Sequence, residues 1–431
     1  MKLAYQKTTL DNGLRVLTCA MPHTYSVGVG FYLSIGSRYE QKEEAGAAHF
    51  IEHMLFKGTT QRPTPEAIAI EVEGHGGVFN ASTGQEMTVL WVKLPQPHLG
   101  LALDVVSDML RNSLFQPEEI EKERRVILEE ILSSQDIPEE LVGLALHELT
   151  WPDHPLGWDV AGTPASVTAM SGEALQSFLF RGYGPGNLVL SVAGDVVHEQ
   201  VAELADSLLG GWRQTDPIGF EPAPKNDGAV RVGLINKKVE QTHLALHLPG
   251  VARDDDDRFA LSLLNVILGE GMSSRLFLEI RERLSLAYSV DSYASQLADT
   301  GVVGVYAAVS PERSQEALRA ILGQLRRLSD EPVDAKALAG AKEFVTGRTL
   351  MGMEDTMSVA GWYGRQEAQR REVLAVETVL ERMHLVTAED IQRVARRLFR
   401  TTGSQLAIVG PHKRSQAKQF QTILSEELPS D

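Results

Sequence analysis

Cysteine is nearly absent: Cys19 is alone among 431 residues, so no disulfide can form within the chain. That excludes a disulfide-stapled scaffold and fits a reducing compartment. Cys19 lies in an apolar stretch, residues 16–21, where a thiol reads as inert core. Positive charge is also short. Forty-one Lys and Arg face 58 Asp and Glu, a formal net charge of −17, which argues against nucleic acid or an anionic membrane surface as partner. No run of 18 apolar residues exists, so no membrane-crossing helix is expected. The first seven residues hold no apolar run of signal-peptide length. A cytoplasmic location is the default expectation.

What is present is ordinary globular material, 43% hydrophobic and 23% charged, in a chain long enough for two or more domains with their own cores. A strand pair is expected around Asp11-Asn12-Gly13, with further strands at 27–33, 87–92 and 188–192. Helices are expected near 100–111 and 118–132. The same grammar recurs at one fixed offset, about half the chain: 27–33 matches 243–249, and the strand before Pro95 matches 303–309 before Pro311. The two helices match 315–328 and 334–350, and 190–194 matches 406–410. Five matches at one offset read as an internal duplication. The expected fold is therefore α+β: two similar domains, each a mostly antiparallel sheet flanked by helices. The domains are placed at 1–216 and 229–431, with residues 217–228, rich in proline and ending in glycine, as linker.

The most informative segment is His49-Phe50-Ile51-Glu52-His53. Histidines at i and i+4 share one face of a helix, with Glu52 beside them. Two imidazoles so placed can share a metal ion, and the carboxylate between them can act on a water activated there. An ordinary polar patch on a helix would give the same pattern. At the repeat offset, His49, Glu52 and His53 fall on Asn265, Leu268 and Gly269, so the site belongs to the first copy alone. A third ligand is needed. Glu123 and Glu130 stand two helical turns apart and share a face, with Val126 and Ile127 suggesting that it looks inward. A solvated acidic helix with Glu–Arg pairs is the alternative, and helical spacing alone leaves both open.

On these residues the chain resembles the pitrilysin-type zinc metallopeptidases, which carry the His-x-x-Glu-His order called inverzincin. That group includes insulin-degrading enzyme and the mitochondrial processing peptidase, and the likeness is to bacterial relatives of the latter's beta subunit. The family pattern sets a fixed spacing between the second histidine and a glutamate ligand. Counted on from His53, that spacing lands on Glu130. A supporting glutamate two helical turns earlier matches Glu123. The segment Gly76-Gly77-Val78-Phe79-Asn80-Ala81-Ser82-Thr83 resembles the family's substrate-binding strand. An Arg and a Tyr seven apart match Arg281 and Tyr288, and Tyr183-Gly184-Pro185-Gly186-Asn187 is another family-like segment.

The resemblance implies a zinc endopeptidase acting on extended, unfolded peptides in a closed chamber. One Zn²⁺ would be held by His49, His53 and Glu130, with Glu52 as general base. Tyr288 would serve the oxyanion, and Arg281 would hold substrate carbonyls or Tyr288 itself. Glu123 would orient a ligating histidine, and Asn80 and Ala81 would bind the substrate backbone. It also implies a dimer, with a second copy or with a paralogous subunit. The alternative is a non-catalytic core or partner subunit, a type that lacks some of these residues. A purely structural zinc site would need four ligands and would leave Glu52 without a task.

Overall fold

The computed structural model describes residues 4–213, 218–369 and 372–429. The linker expected at 217–228 begins at Pro217, outside the described residues; the rest of it, to residue 228, has no regular structure until the next strand. Eleven strands form two sheets among the described residues. The first holds β1 (Tyr5–Thr9), β2 (Arg15–Ala20), β3 (Ser26–Leu33), β4 (Val78–Thr83), β5 (Thr88–Pro95) and β6 (Leu188–Gly194), in the order β1-β2-β6-β3-β5-β4. Asp11-Asn12-Gly13 makes the first turn, and Gly13 supplies its left-handed conformation at φ 90°. The second holds β7 (Arg231–Asn236), β8 (Thr242–Pro249), β9 (Ala287–Gln296), β10 (Gly301–Val309) and β11 (Gln405–Gly410), in the order β7-β11-β8-β10-β9.

The duplication is visible in this order, since β2-β6-β3-β5-β4 and β7-β11-β8-β10-β9 are one topology. β3 and β8 coincide at both ends when the repeat offset is applied. Each sheet has one parallel pair, β2 with β6 and β7 with β11, and is otherwise antiparallel. β3 and β6 are buried almost throughout because both sheet faces are covered.

The compact units do not follow the chain in series. One comprises the residues up to Leu132, Trp158–Glu221 and Thr349–Val376; the other comprises Ser133–Gly157, Pro222–Arg348 and the chain from Glu377. Two helices account for the interleaving. In the first unit Thr356–Gln369 lies on β3, β6 and β2, burying Val359, Ala360 and Tyr363 against Leu17, Cys19, Tyr32 and Val189. The fit is tight: a Cβ on Gly28 would lie 2.7 Å from the backbone of Thr356 and Met357, and one on Gly364 2.2 Å from the Tyr32 ring. In the second unit Pro138–Thr150 lies on β11, β8 and β7, burying Val142 and Leu146 against Ala245, Tyr306, Ala407 and Val409. These helices start at Pro138 and Thr356, close to the repeat offset, and occupy equivalent places on equivalent sheets. Each copy thus lends the other copy's sheet its covering helix.

A fragment ending at residue 216 would therefore expose Leu17, Tyr32, Val89 and Val189. It is expected to aggregate or to lose its cooperative thermal transition, and co-expression with 349–376 is expected to restore one. Circular dichroism melts of the fragment with and without that helix check this.

Candidate metal centre

The helix Ala47–Leu55 buries Ala47, Ala48, Phe50, Ile51, Met54 and Leu55, which leaves His49, Glu52 and His53 on the opposite face. Its entry is fixed by two left-handed glycines in contact. A Cβ on Gly46 (φ 95°) would meet the Ala161 carbonyl at 2.6 Å, and one on Gly162 (φ 81°) would meet the Ala45 carbonyl at 2.4 Å. The helix Pro117–Asp136 buries Ile120, Glu123, Ile127 and Ile131. Of the two apolar residues expected to mark its inner face, Ile127 does so. Val126 instead is exposed, being about 100° round the helix from its neighbour.

These helices bring five of the candidate residues together. Single ligand atoms of His49, His53 and Glu130 lie within 4.8 Å of one another. Glu130 Oε2 is 3.5 Å from His53 Nε2 and 3.9 Å from His49 Nε2. His53 Nδ1 faces Glu123 Oε2 at 3.0 Å, and the other Glu123 oxygen receives Lys57 Nζ at 2.7 Å. Burial and the neighbouring His53 push the His49 pKa down to about 4, so at neutral pH its imidazole carries a free lone pair. Burial raises the Glu52 carboxyl, against hydrogen bonds from Thr83 at the end of β4. Its Oε2 is buried and has no hydrogen-bond partner among the described residues.

The donor set fits a divalent metal of zinc type. Two imidazole nitrogens and one carboxylate oxygen converge, three ligands rather than four among the described residues, and a buried carboxylate oxygen without a partner among them lies on the same helical face. Lys57 escaped the sequence reading. Its only signal is its place four residues after His53, just past the end of the helix at Leu55.

Asn80 and Ala81 lie on β4, which among the described residues pairs with β5 alone and is an edge of its sheet. Phe79, Ala81 and Thr83 are half-buried, while Val78, Asn80 and Ser82 are exposed. The Ala81 N–H donates to the Asn80 side-chain oxygen at 2.8 Å. Arg281 and Tyr288 belong to the other unit. Arg281 lies in a π-helical turn, Phe277–Arg283, with its guanidinium 4.8 Å from the centroid of the Tyr288 ring. Between them Ser285 holds a left-handed backbone (φ 50°), and Tyr288 is 75% exposed at the start of β9.

The second copy has no room for such a centre. Its corresponding helix, Arg258–Gly269, lies directly against β9. Ser292 of that strand donates to Asn265 Oδ1 at 2.8 Å, and a Cβ on Gly269 would lie 2.4 Å from Ser292 Oγ. Where the first copy has His53, the second admits only glycine.

Comparison with known proteins agrees with this division. A family model described as Insulinase (Peptidase family M16) matches residues 15–164, and one described as Peptidase M16 inactive domain matches residues 169–345. An uncharacterized zinc protease of Streptomyces coelicolor is 36% identical over 96% of this chain and 91% of its own. An uncharacterized zinc protease of Bacillus subtilis is 32% identical over 94% and 98%. The crystal structure of a protease from Helicobacter pylori superposes with a TM-score of 0.91 at 25% identity, covering 95% of this chain and all of that one. The architecture is that of a zinc-protease-like, duplicated α+β protein. The chain belongs to the insulinase family, peptidase family M16. No helix among the described residues is long and apolar enough to cross a membrane.

Proposed function

We propose that this protein is a zinc-dependent endopeptidase that hydrolyses extended, unfolded peptides. One observation carries the reading: His49, His53 and Glu130 converge while Glu52, on the same helical face, keeps a buried carboxylate oxygen with no partner among the described residues. Zinc held by those three residues would supply Lewis acidity to the peptide carbonyl and lower the pKa of water there. Glu52 then takes a proton from the attacking water and returns it to the leaving amine. Glu123 orients His53 through Nδ1 and is itself held by Lys57. The edge position of β4 supports binding of substrate as an added strand at Asn80 and Ala81, which selects extended peptides over folded proteins.

Arg281 and Tyr288 are assigned to oxyanion and substrate carbonyls, from the other unit. A homodimer, or a heterodimer with a paralogous subunit, is proposed as the working assembly, in the cytoplasm. A non-catalytic subunit would be expected to have lost one of these groups, and this chain has them all.

The test is metal analysis of the purified protein with cleavage of an unstructured fluorogenic peptide. Cleavage should vanish with a chelator and return with zinc. Cleavage that persists in metal-free protein would refute the proposal. Glu130→Gln is expected to lower retained zinc and activity together, whereas Glu129→Gln, exposed and outside the cluster, should change neither by more than about two-fold. Zinc retained after dialysis decides between the two carboxylates.

A further inference from the structure

The two histidines are held in different ways. His53 has a carboxylate behind it, Glu123, with Lys57 behind that. His49 has nothing of the kind: its Nδ1 is buried and has no hydrogen-bond partner among the described residues. No hydrogen bond on Nδ1 fixes the ring, so its place follows from the backbone of the first helical turn and from packing against the His53 ring at 4.6 Å. In an α-helix that turn is the least restrained, because its N–H groups have no intrahelical acceptor.

Here two of those N–H groups are taken by a side chain remote in sequence from the turn's own residues. Glu40, 4% exposed, accepts the Gly46 N–H on Oε2 at 2.9 Å and the Ala48 N–H on Oε1 at 2.7 Å. Ala48 immediately precedes His49. Glu40 is itself rigidly placed. Just before it, the Ser37 N–H donates to the Gly84 carbonyl at 3.1 Å and the Arg38 N–H to the Gln85 carbonyl at 2.8 Å, within the turn that joins β4 to β5. The buried Arg38 pairs with Glu86 of the same turn at 2.6 Å. Burial pushes the Glu40 carboxyl up to about 8, against the lowering effect of these two N–H groups, so the contact is held by hydrogen bonding and not by full charge against the helix dipole.

We propose that Glu40 is the positioning residue for His49, doing through the backbone what Glu123 does for His53 through the ring. It fixes the first turn of the ligand helix and ties it to the turn that ends the edge strand β4. This rests on the metal-centre reading above and adds to it a residue outside the set of ligands and their direct supports.

The test compares Glu40→Ala and Glu40→Gln with the wild type in zinc affinity, by chelator competition well below each variant's melting temperature. Asp257→Asn serves as a control, since it weakens the ion cluster that the buried Asp257 makes with the half-exposed Arg393 and Arg397 in the other unit. Glu40→Ala is expected to weaken zinc binding by about 10–100-fold, the range for a lost supporting contact. Glu40→Gln, which keeps one acceptor oxygen, should lose less. The control should lose stability and keep its affinity. The visible spectrum of the cobalt-substituted protein should change in Glu40→Ala, because the geometry of one imidazole changes, and should not change in the control. Should Glu40→Ala bind zinc within about two-fold of wild type with an unaltered cobalt spectrum, Glu40 is a stabilising cap only, and the endopeptidase reading stands. Wild-type protein that bound no zinc would overturn both.

Discussion

Glu52→Gln is expected to retain a full complement of zinc while kcat falls by about 10²–10⁴, the usual weight of a general base. The ligand atoms that converge are those of His49, His53 and Glu130, and Glu52 is not among them. Its side chain reaches Thr83 and leaves Oε2 buried without a partner among the described residues, which is an acceptor held ready for a proton. Glutamine keeps the volume and can still meet Thr83, so fold and metal should survive. It cannot take a proton. Activity should also fall as pH drops far enough to protonate Glu52, because the protonated acid is no base; burial raises that point and a bound divalent metal lowers it. Zinc content, peptide affinity and kcat measured together separate the outcomes. Zinc lost with activity would make Glu52 a ligand or a scaffold residue instead.

The parts of this site that were legible in the sequence are those governed by helical periodicity. Histidines at i and i+4 must share a face whatever surrounds them, and the same holds for Glu123 and Glu130 at two turns. That these faces meet required the family spacing, because no rule of periodicity relates two helices so far apart in the chain. The duplication was recoverable, since β3 and β8 repeat at the common offset, but the order of strands within each sheet was not.

The exchange of covering helices was not recoverable. Pro138–Thr150 and Thr356–Gln369 are equivalent amphipathic helices on equivalent sheets, and nothing in either pattern says whose sheet it covers. Glu40 was hidden for another reason. It precedes Gln41, Lys42, Glu43 and Glu44, so it reads as one more charge in a polar loop. Only the backbone path, pinned at Gly84 and Gln85, turns its carboxylate inward. Val126 shows the limit of face assignment, for one residue along a helix is enough to leave the buried stripe.

Tyr288→Phe is expected to lower kcat by about 10²–10³, equivalent to about 3–4 kcal/mol of transition-state stabilisation, with KM nearly unchanged. A core tyrosine would not show this, and at 75% exposure Tyr288 is no core residue of its unit. What holds it is local. Arg281 lies over its ring at 4.8 Å, and the chain between them runs through a π-helical turn and a left-handed Ser285. Irregular, strained backbone of that kind persists where a side chain must be presented in one particular direction. Phenylalanine keeps the aromatic face, so the stacking of Arg281 should survive and only the hydroxyl is lost. A hydroxyl that donates to the oxyanion acts on charge present mainly in the transition state, which is why the loss should fall on kcat. Steady-state kinetics on one peptide, with bound zinc checked in the same samples, decide the matter. An unchanged kcat with raised KM would move Tyr288 to substrate binding, and no change in either would remove it from the site.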